Sequence, residues 1–130
     1  MKVLVDTSVW IEFFRGTTSN KVAKLEELIV QKEDICCCGF ILTEVLQGIR
    51  DEKAFADTKR LFDGLLYLDD DRSTFELGAG IYRELRRKGA TIRSPIDCLI
   101  AATVVQHGVN LLENDRDYQY IDQHYPLNRL

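Results

Sequence analysis

The chain opens on Lys2-Val3-Leu4-Val5, a short apolar run that does not alternate and that stops at Asp6. Such runs suit strands covered on both faces, as in a parallel sheet. Three more follow: Asp34 to Cys38, Leu66-Tyr67-Leu68 and Val109 to Leu112. Between them the apolar spacing turns helical. Helices are predicted over Thr7 to Arg15, Lys21 to Gln31, Phe40 to Arg50, Glu52 to Leu65, Ser73 to Lys88 and Ser94 to His107, with a short one from Arg116. Phe55, Leu61, Phe62 and Leu65 are expected on the inner side of the fourth. Strands alternating with helices, joined by right-handed crossovers, give a three-layer α/β/α sandwich with a mainly parallel central sheet. In such sheets ligands sit in the crevice at the carboxyl ends of the strands.

At 130 residues the chain has the length of one domain, 1–130, with a core of its own. With 45% hydrophobic and 29% charged residues and only 2 Pro, it is no disordered or collagen-like sequence. Its apolar runs fall far short of the roughly 20 residues that span a bilayer, and Asp6 interrupts any leader-like start. A soluble, cytoplasmic protein without a membrane partner is expected. Of the 4 cysteines, Cys36, Cys37 and Cys38 are consecutive. This pattern suits buried thiols in a strand, not a disulfide framework or a zinc site. A net charge of −4 supplies no general attraction for nucleic acid, which would need local basic patches or bound cations.

Asp6 and Asp115 lie at or just past predicted strand ends and precede predicted helices, where N-capping alone would account for either. Ser94-Pro95-Ile96-Asp97 resembles a capping box. Yet Asp97 also starts a stripe continued by Ile100, Ala101, Val104, Val105 and Gly108. A carboxylate on an inward stripe is costly unless paired or bound to a cation, so capping and function are both open for Asp97. Glu44 borders the stripe of its own helix and, alone, reads as a solvated side chain.

Four segments occur in order: Asp6-Thr7-Ser8, Thr43-Glu44-Val45-Leu46-Gln47-Gly48, Ser94-Pro95-Ile96-Asp97-Cys98-Leu99-Ile100-Ala101-Ala102 and Asn114-Asp115-Arg116-Asp117-Tyr118. Together they resemble the PIN-domain nucleases, and more closely the VapC-type toxins of bacterial and archaeal toxin–antitoxin pairs. The likeness runs the length of the chain, including Trp10 to Gly16. It implies a metal-dependent endoribonuclease in which Asp6, Glu44, Asp97 and Asp115 are catalytic, with Asp6, Asp97 and Asp115 as metal ligands. Oxygen donors without a histidine or thiolate cluster suit Mg²⁺ or Mn²⁺. Such an ion acidifies water and offsets phosphoryl charge, and the family resemblance suggests 5′-phosphate and 3′-hydroxyl products. Without metal, at least one clustered carboxylate should hold its proton more tightly. Thr7 or Ser8 is placed to contact water or phosphate. Asp117 is a peripheral acid that is a further candidate for a substrate or water contact, with helix capping as its favoured role. The chain departs from the family at Glu113, where Thr or Ser is common, and this puts a hydroxyl contact in doubt or adds a carboxylate.

Arg83, Arg86, Arg87, Lys88 and Arg93 crowd into eleven residues, and Arg15 lies near Lys21 and Lys24. A run of this kind is often only a solvated helix face. Here Arg86, Arg87, Arg93 and Arg15 are candidates for RNA contact, or for receiving an acidic antitoxin segment. A homodimer and an antitoxin partner are implied by the resemblance. His107 and His124 have no metal-binding spacing, and Asp69-Asp70-Asp71 reads as a turn. Phosphatases of the haloacid-dehalogenase type need an acid where Ser8 stands. Receiver domains need a pair of acids after the first strand and a lysine after the last, and neither is present. A stronger alternative is a non-catalytic PIN-like scaffold that binds RNA or protein.

Overall fold

A computed structural model describes all residues, 1–130. In chain order the elements are β1 (Lys2–Val5), α1 (Thr7–Arg15), α2 (Asn20–Val30), β2 (Asp34–Cys38), α3 (Gly39–Gln47), α4 (Glu52–Asp63), β3 (Leu66–Leu68), α5 (Arg72–Arg87), α6 (Pro95–His107), β4 (Asn110–Leu112) and α7 (Asp117–Asp122). The sheet order is β3-β2-β1-β4. Every pairing is parallel, with Leu4 opposite Cys36 on one side and Leu111 on the other. The chain builds outward from β1 through β2 to β3, then returns to place β4 on the free side of β1. The gap between the carboxyl ends of β1 and β4 is therefore the topological switch point of the sheet.

Burial explains the unalternating strands. Val3, Leu4 and Val5 are fully buried, as are Cys36, Cys38, Leu111 and Leu112, because helices cover both faces. All four cysteines are free and buried. Burial pushes the Cys37 thiol up to about 12 and Cys38 to about 11, which keeps both protonated.

Helix ends follow local chemistry. Asp6, Ser19, Asp51, Asp71 and Ser94 each cap a helix through a side-chain oxygen. Asp71 and Thr74 form a reciprocal capping box, so the Asp69-Asp70-Asp71 run is a turn leading into α5. α6 is apolar nearly all round and buries Cys98, Ile100, Ala101, Ala102, Thr103 and Val104. It packs on α5 where Gly78 faces Leu99. A Cβ on Gly78 would stand 2.5 Å from Leu99 Cδ2, so the closeness of this helix pair depends on glycine there.

Three sequence expectations fail on burial. Phe55 and Leu61 were expected on the inner face of α4, but they are exposed, and Thr58 and Phe62 are the buried residues of that helix. Val105 is exposed although the Asp97 stripe of α6 predicts it inside. The cause for α4 is its position. It packs on α3 at the rim of the sheet, so a single row of side chains reaches the core. The rest of its apolar face, with Phe14 of α1, stays open to solvent.

Candidate functional site

β1 delivers Asp6 to the switch point, and the backbone N–H of Asp6 donates to the Leu112 carbonyl at 2.9 Å, which locks it beside the end of β4. One carboxylate oxygen, Oδ2, accepts from the Ser8 backbone N–H at 3.1 Å and the Ser8 hydroxyl at 2.6 Å. The other, Oδ1, accepts from the Tyr118 hydroxyl at 2.8 Å. Asp6 is 5% exposed. Burial pushes its carboxyl above the ordinary range against the pull of the Ser8 and Tyr118 bonds, and the Asp115 charge adds to the rise. Capping and site placement are here the same act.

The Ser8 hydroxyl, having donated to Asp6, accepts from the Asn114 N–H at 3.1 Å. It therefore ties the loop after β1 to the loop after β4. Thr7 donates its hydroxyl to Glu44 Oε1 at 2.9 Å, which brings α3 to the same edge. Burial raises the Glu44 carboxyl, the Thr7 bond opposes the rise, and Asp6 adds to it.

Asp97, Asp115 and Asp117 come together so closely that one carboxylate oxygen from each lies within 4.8 Å of the others. Asp97 stands in the first turn of α6, where Ser94 caps the Ile96 N–H. Its carboxylate makes no return bond to Ser94 and faces the acids instead. Burial, then the charges of Asp115, Asp6 and Asp117, push it up to about 8. The rise expected of crowded carboxylates is thus seen on Asp97. Tyr118 reaches Asp97 as well, its hydroxyl 3.5 Å from Oδ1.

The capping role favoured for Asp117 is corrected. Arg116 occupies the N-cap of α7, and the nearly buried Asp117 carboxylate belongs to the acidic group. Glu113 does not join it. Its Oε1 accepts from Arg129 Nε and its Oε2 from the Asp115 N–H, both at 2.9 Å, so both oxygens are engaged in holding the loop.

The basic candidates separate. Arg93 turns into the site: Nη2 donates to Asp115 Oδ1 at 2.9 Å and Nε to Asp117 Oδ2 at 3.3 Å. Arg86 lies over the Tyr82 ring at 5.7 Å, and Arg87 pairs with Glu84. Arg15 lines, with Glu44, Ile11 and Phe14, an apolar groove of about 380 Å³ between α1, α3 and α4. Lys21 bonds the Leu130 carbonyl and Lys24 pairs with Glu27. His107 meets the Asp69 carbonyl at 2.8 Å and His124 meets Lys88 at 3.2 Å, both apart from the acids.

Sequence reasoning missed Tyr118 and Arg129 as supports. Tyr118 carried one faint signal, as the aromatic residue one place after Asp117.

The donor set fits a hard divalent cation. Five carboxylates converge on one edge, no histidine is among them, and burial pushes the adjacent Cys98 thiol up to about 11, so no thiolate is available. Arg93 already lies against two of the acids, where positive charge is favoured.

The PIN domain family profile matches residues 3–123. The chain is 40% identical over 121 residues to Ribonuclease VapC11 of Mycobacterium tuberculosis and to VapC ribonuclease Mb1587 of Mycobacterium bovis, covering 92% of this chain and 90% of each relative. Among solved structures it resembles the crystal structure of DNA-bound VapBC from Salmonella typhimurium (TM-score 0.74, 23% identity, covering 99% of this chain and 96% of that one). It also resembles VapBC2 from Rickettsia felis bound to a promoter DNA fragment (TM-score 0.74, 18% identity, 93% of both chains). At these identities the structural likenesses speak to the fold.

Proposed function

The chain belongs to the PIN domain family, and from that premise we propose that it is a metal-dependent endoribonuclease, the toxin of a toxin–antitoxin pair. The observation that carries the reading is the convergence of Asp6, Glu44, Asp97, Asp115 and Asp117 on the switch point. The named ribonuclease relatives support the reaction class.

A Mg²⁺ or Mn²⁺ ion at these acids supplies Lewis-acid chemistry, acidifying water and offsetting charge on the phosphoryl oxygens. The chain's own part is positional. Asp97, Asp115 and Asp117 would hold the ion, and Asp6 would add a carboxylate kept in place by Ser8 and Tyr118. In the metal-free protein Asp97 keeps a proton near neutral pH, which it would give up on holding a cation. Glu44, with Oε1 held by Thr7, accepts a proton from the attacking water through Oε2. Arg93, at the rim, draws the RNA phosphate toward the acids. In-line attack of that water on phosphorus breaks the P–O3′ bond, and the departing 3′ oxygen takes a proton from solvent, leaving 5′-phosphate and 3′-hydroxyl ends.

An antitoxin partner is supported by the VapBC neighbours, whose fold this chain shares. A homodimer and a cytoplasmic setting, where RNA is at hand, complete the reading. No helix is long and apolar enough to cross a membrane.

The test is incubation of the purified chain with total cellular RNA in Mg²⁺, in Mn²⁺ and in EDTA, beside Asp6→Asn and Asp97→Asn. Discrete fragments that need the ion and vanish in both variants are expected. RNA left intact by a folded, antitoxin-free protein in both ions would replace this reading with the non-catalytic scaffold.

A further inference from the structure

A second concavity shares a wall with the acidic centre. It lies between the loop 89–91 and the start of α7, is lined by Arg93, Arg116, Asp117 and Tyr120, and holds about 410 Å³. That volume falls in the roughly 300–1,000 Å³ range of small-ligand pockets. Its charge is unlike that of the centre beside it. The Asp117 carboxylate is taken up by Arg93, whose Nε lies 3.3 Å from it. Arg116 forms no ion pair or side-chain hydrogen bond, unlike Arg87, Arg93 and Arg129, which all have carboxylate partners. Its five N–H donors are left for a ligand. Tyr120 is 43% exposed, and its hydroxyl has no partner in the protein. A free guanidinium beside an exposed aromatic ring suits a ligand that is both anionic and flat.

From this juxtaposition we infer that the pocket is a subsite for one nucleotide of the RNA, next to the phosphate that is cut. Arg116 holds its phosphate, and the base stacks on Tyr120. Arg93 and Asp117 belong to both concavities and couple the subsite to the acids. Aromatic stacking tolerates any base, and the guanidinium reads phosphate, so the subsite sets register and grip more than sequence. The inference rests on the ribonuclease reading and adds to it two residues, Arg116 and Tyr120, that touch substrate away from the reacting atoms.

The experiment uses the full chain and a fluorescein-labelled single-stranded RNA of mixed sequence. Anisotropy in Ca²⁺ is followed over a salt series, and cleavage in Mg²⁺ gives kcat and KM. Tyr120→Leu should weaken binding about tenfold, as the loss of one stacked base does, and Tyr120→Phe should restore it. Arg116→Gln should weaken binding and flatten the dependence of log K on log salt by about 0.7, the value of one single-strand phosphate contact, while Arg116→Lys keeps the slope. Both losses should fall on KM, with kcat at saturating RNA retained and the melting temperature unchanged. Wild-type binding and cleavage with Arg116→Gln and Tyr120→Leu both unaltered would overturn the subsite and leave the nuclease standing. A flattened slope with Tyr120→Leu neutral would also overturn it, in favour of a bare phosphate contact. A wild-type chain that neither binds nor cleaves RNA removes both readings.

Discussion

The hydroxyl of Tyr118 donates to Asp6 Oδ1 at 2.8 Å across 112 residues of chain, and both partners are buried, Tyr118 fully and Asp6 almost so. Burial and the adjoining carboxylates push the phenol well above its usual range, so it stays a donor at any physiological pH.

Tyr118→Phe removes that donor and leaves a buried carboxylate oxygen short of a partner. A hydrogen bond to a charged group contributes about 1.5–3 kcal/mol, and a loss of that size is expected in urea unfolding at neutral pH. Mg²⁺ affinity, followed by calorimetry, should fall with it, because Asp6 then holds a proton more readily.

Asp97 dictates the response to pH. Its folded carboxyl titrates at about 8 against 3.8 for the free group, so between these values the folded state binds more protons than the unfolded one. Stability of the metal-free protein should therefore fall as pH rises from about 4 to about 8. Asp6 and Glu44, both raised by burial, act in the same direction. Melting temperatures across this range should show the decline, and Asp97→Asn should flatten it and melt higher at its alkaline end.

Divalent cation should reverse that penalty. At an ion concentration about 100 times its Kd, the folded state gains about 2.7 kcal/mol. Melting temperature should rise with Mg²⁺, fall back with EDTA and respond little in Asp97→Asn, whether or not RNA is present.

These three effects come from residues of unequal legibility. Asp6, Asp97 and Asp115 were readable because each sits at a chemically marked position, a strand end or a helix start, that ties side-chain placement to local sequence. Asp117 was legible as an acid but not in its role. Spacing alone suggested a cap, and only the path of the backbone after β4 puts Arg116 in that place. Tyr118, Arg93 and Arg129 act across 112, 22 and 16 residues. No periodicity encodes such pairings, which arise from where β4 lands beside β1. Exposure of Phe55 and Leu61 was hidden for a related reason: helical spacing defines an apolar face but not how much protein lies beneath it.

Arg129→Met should expose the cost of Glu113. The Glu113 carboxylate is almost wholly buried while Arg129 is partly open, so the loss should be about 2 kcal/mol, below the roughly 3–5 of a fully buried broken pair. Adding Glu113→Gln should recover much of it in chemical denaturation.

Gly78→Ala should destabilise by about 1–3 kcal/mol, because the new Cβ meets Leu99 on the facing helix. Leu99→Ala in the same chain should relieve the crowding, so that the double variant melts above Gly78→Ala alone.

The order β3-β2-β1-β4 has a consequence in time. The strand that carries Asp6 is made well before its neighbour β4, so a ribosome building this chain has released Asp6 and Glu44 while Asp97, Asp115 and Tyr118 are still to come. Until those residues emerge, the sheet lacks its outer strand and the acids have no common meeting place.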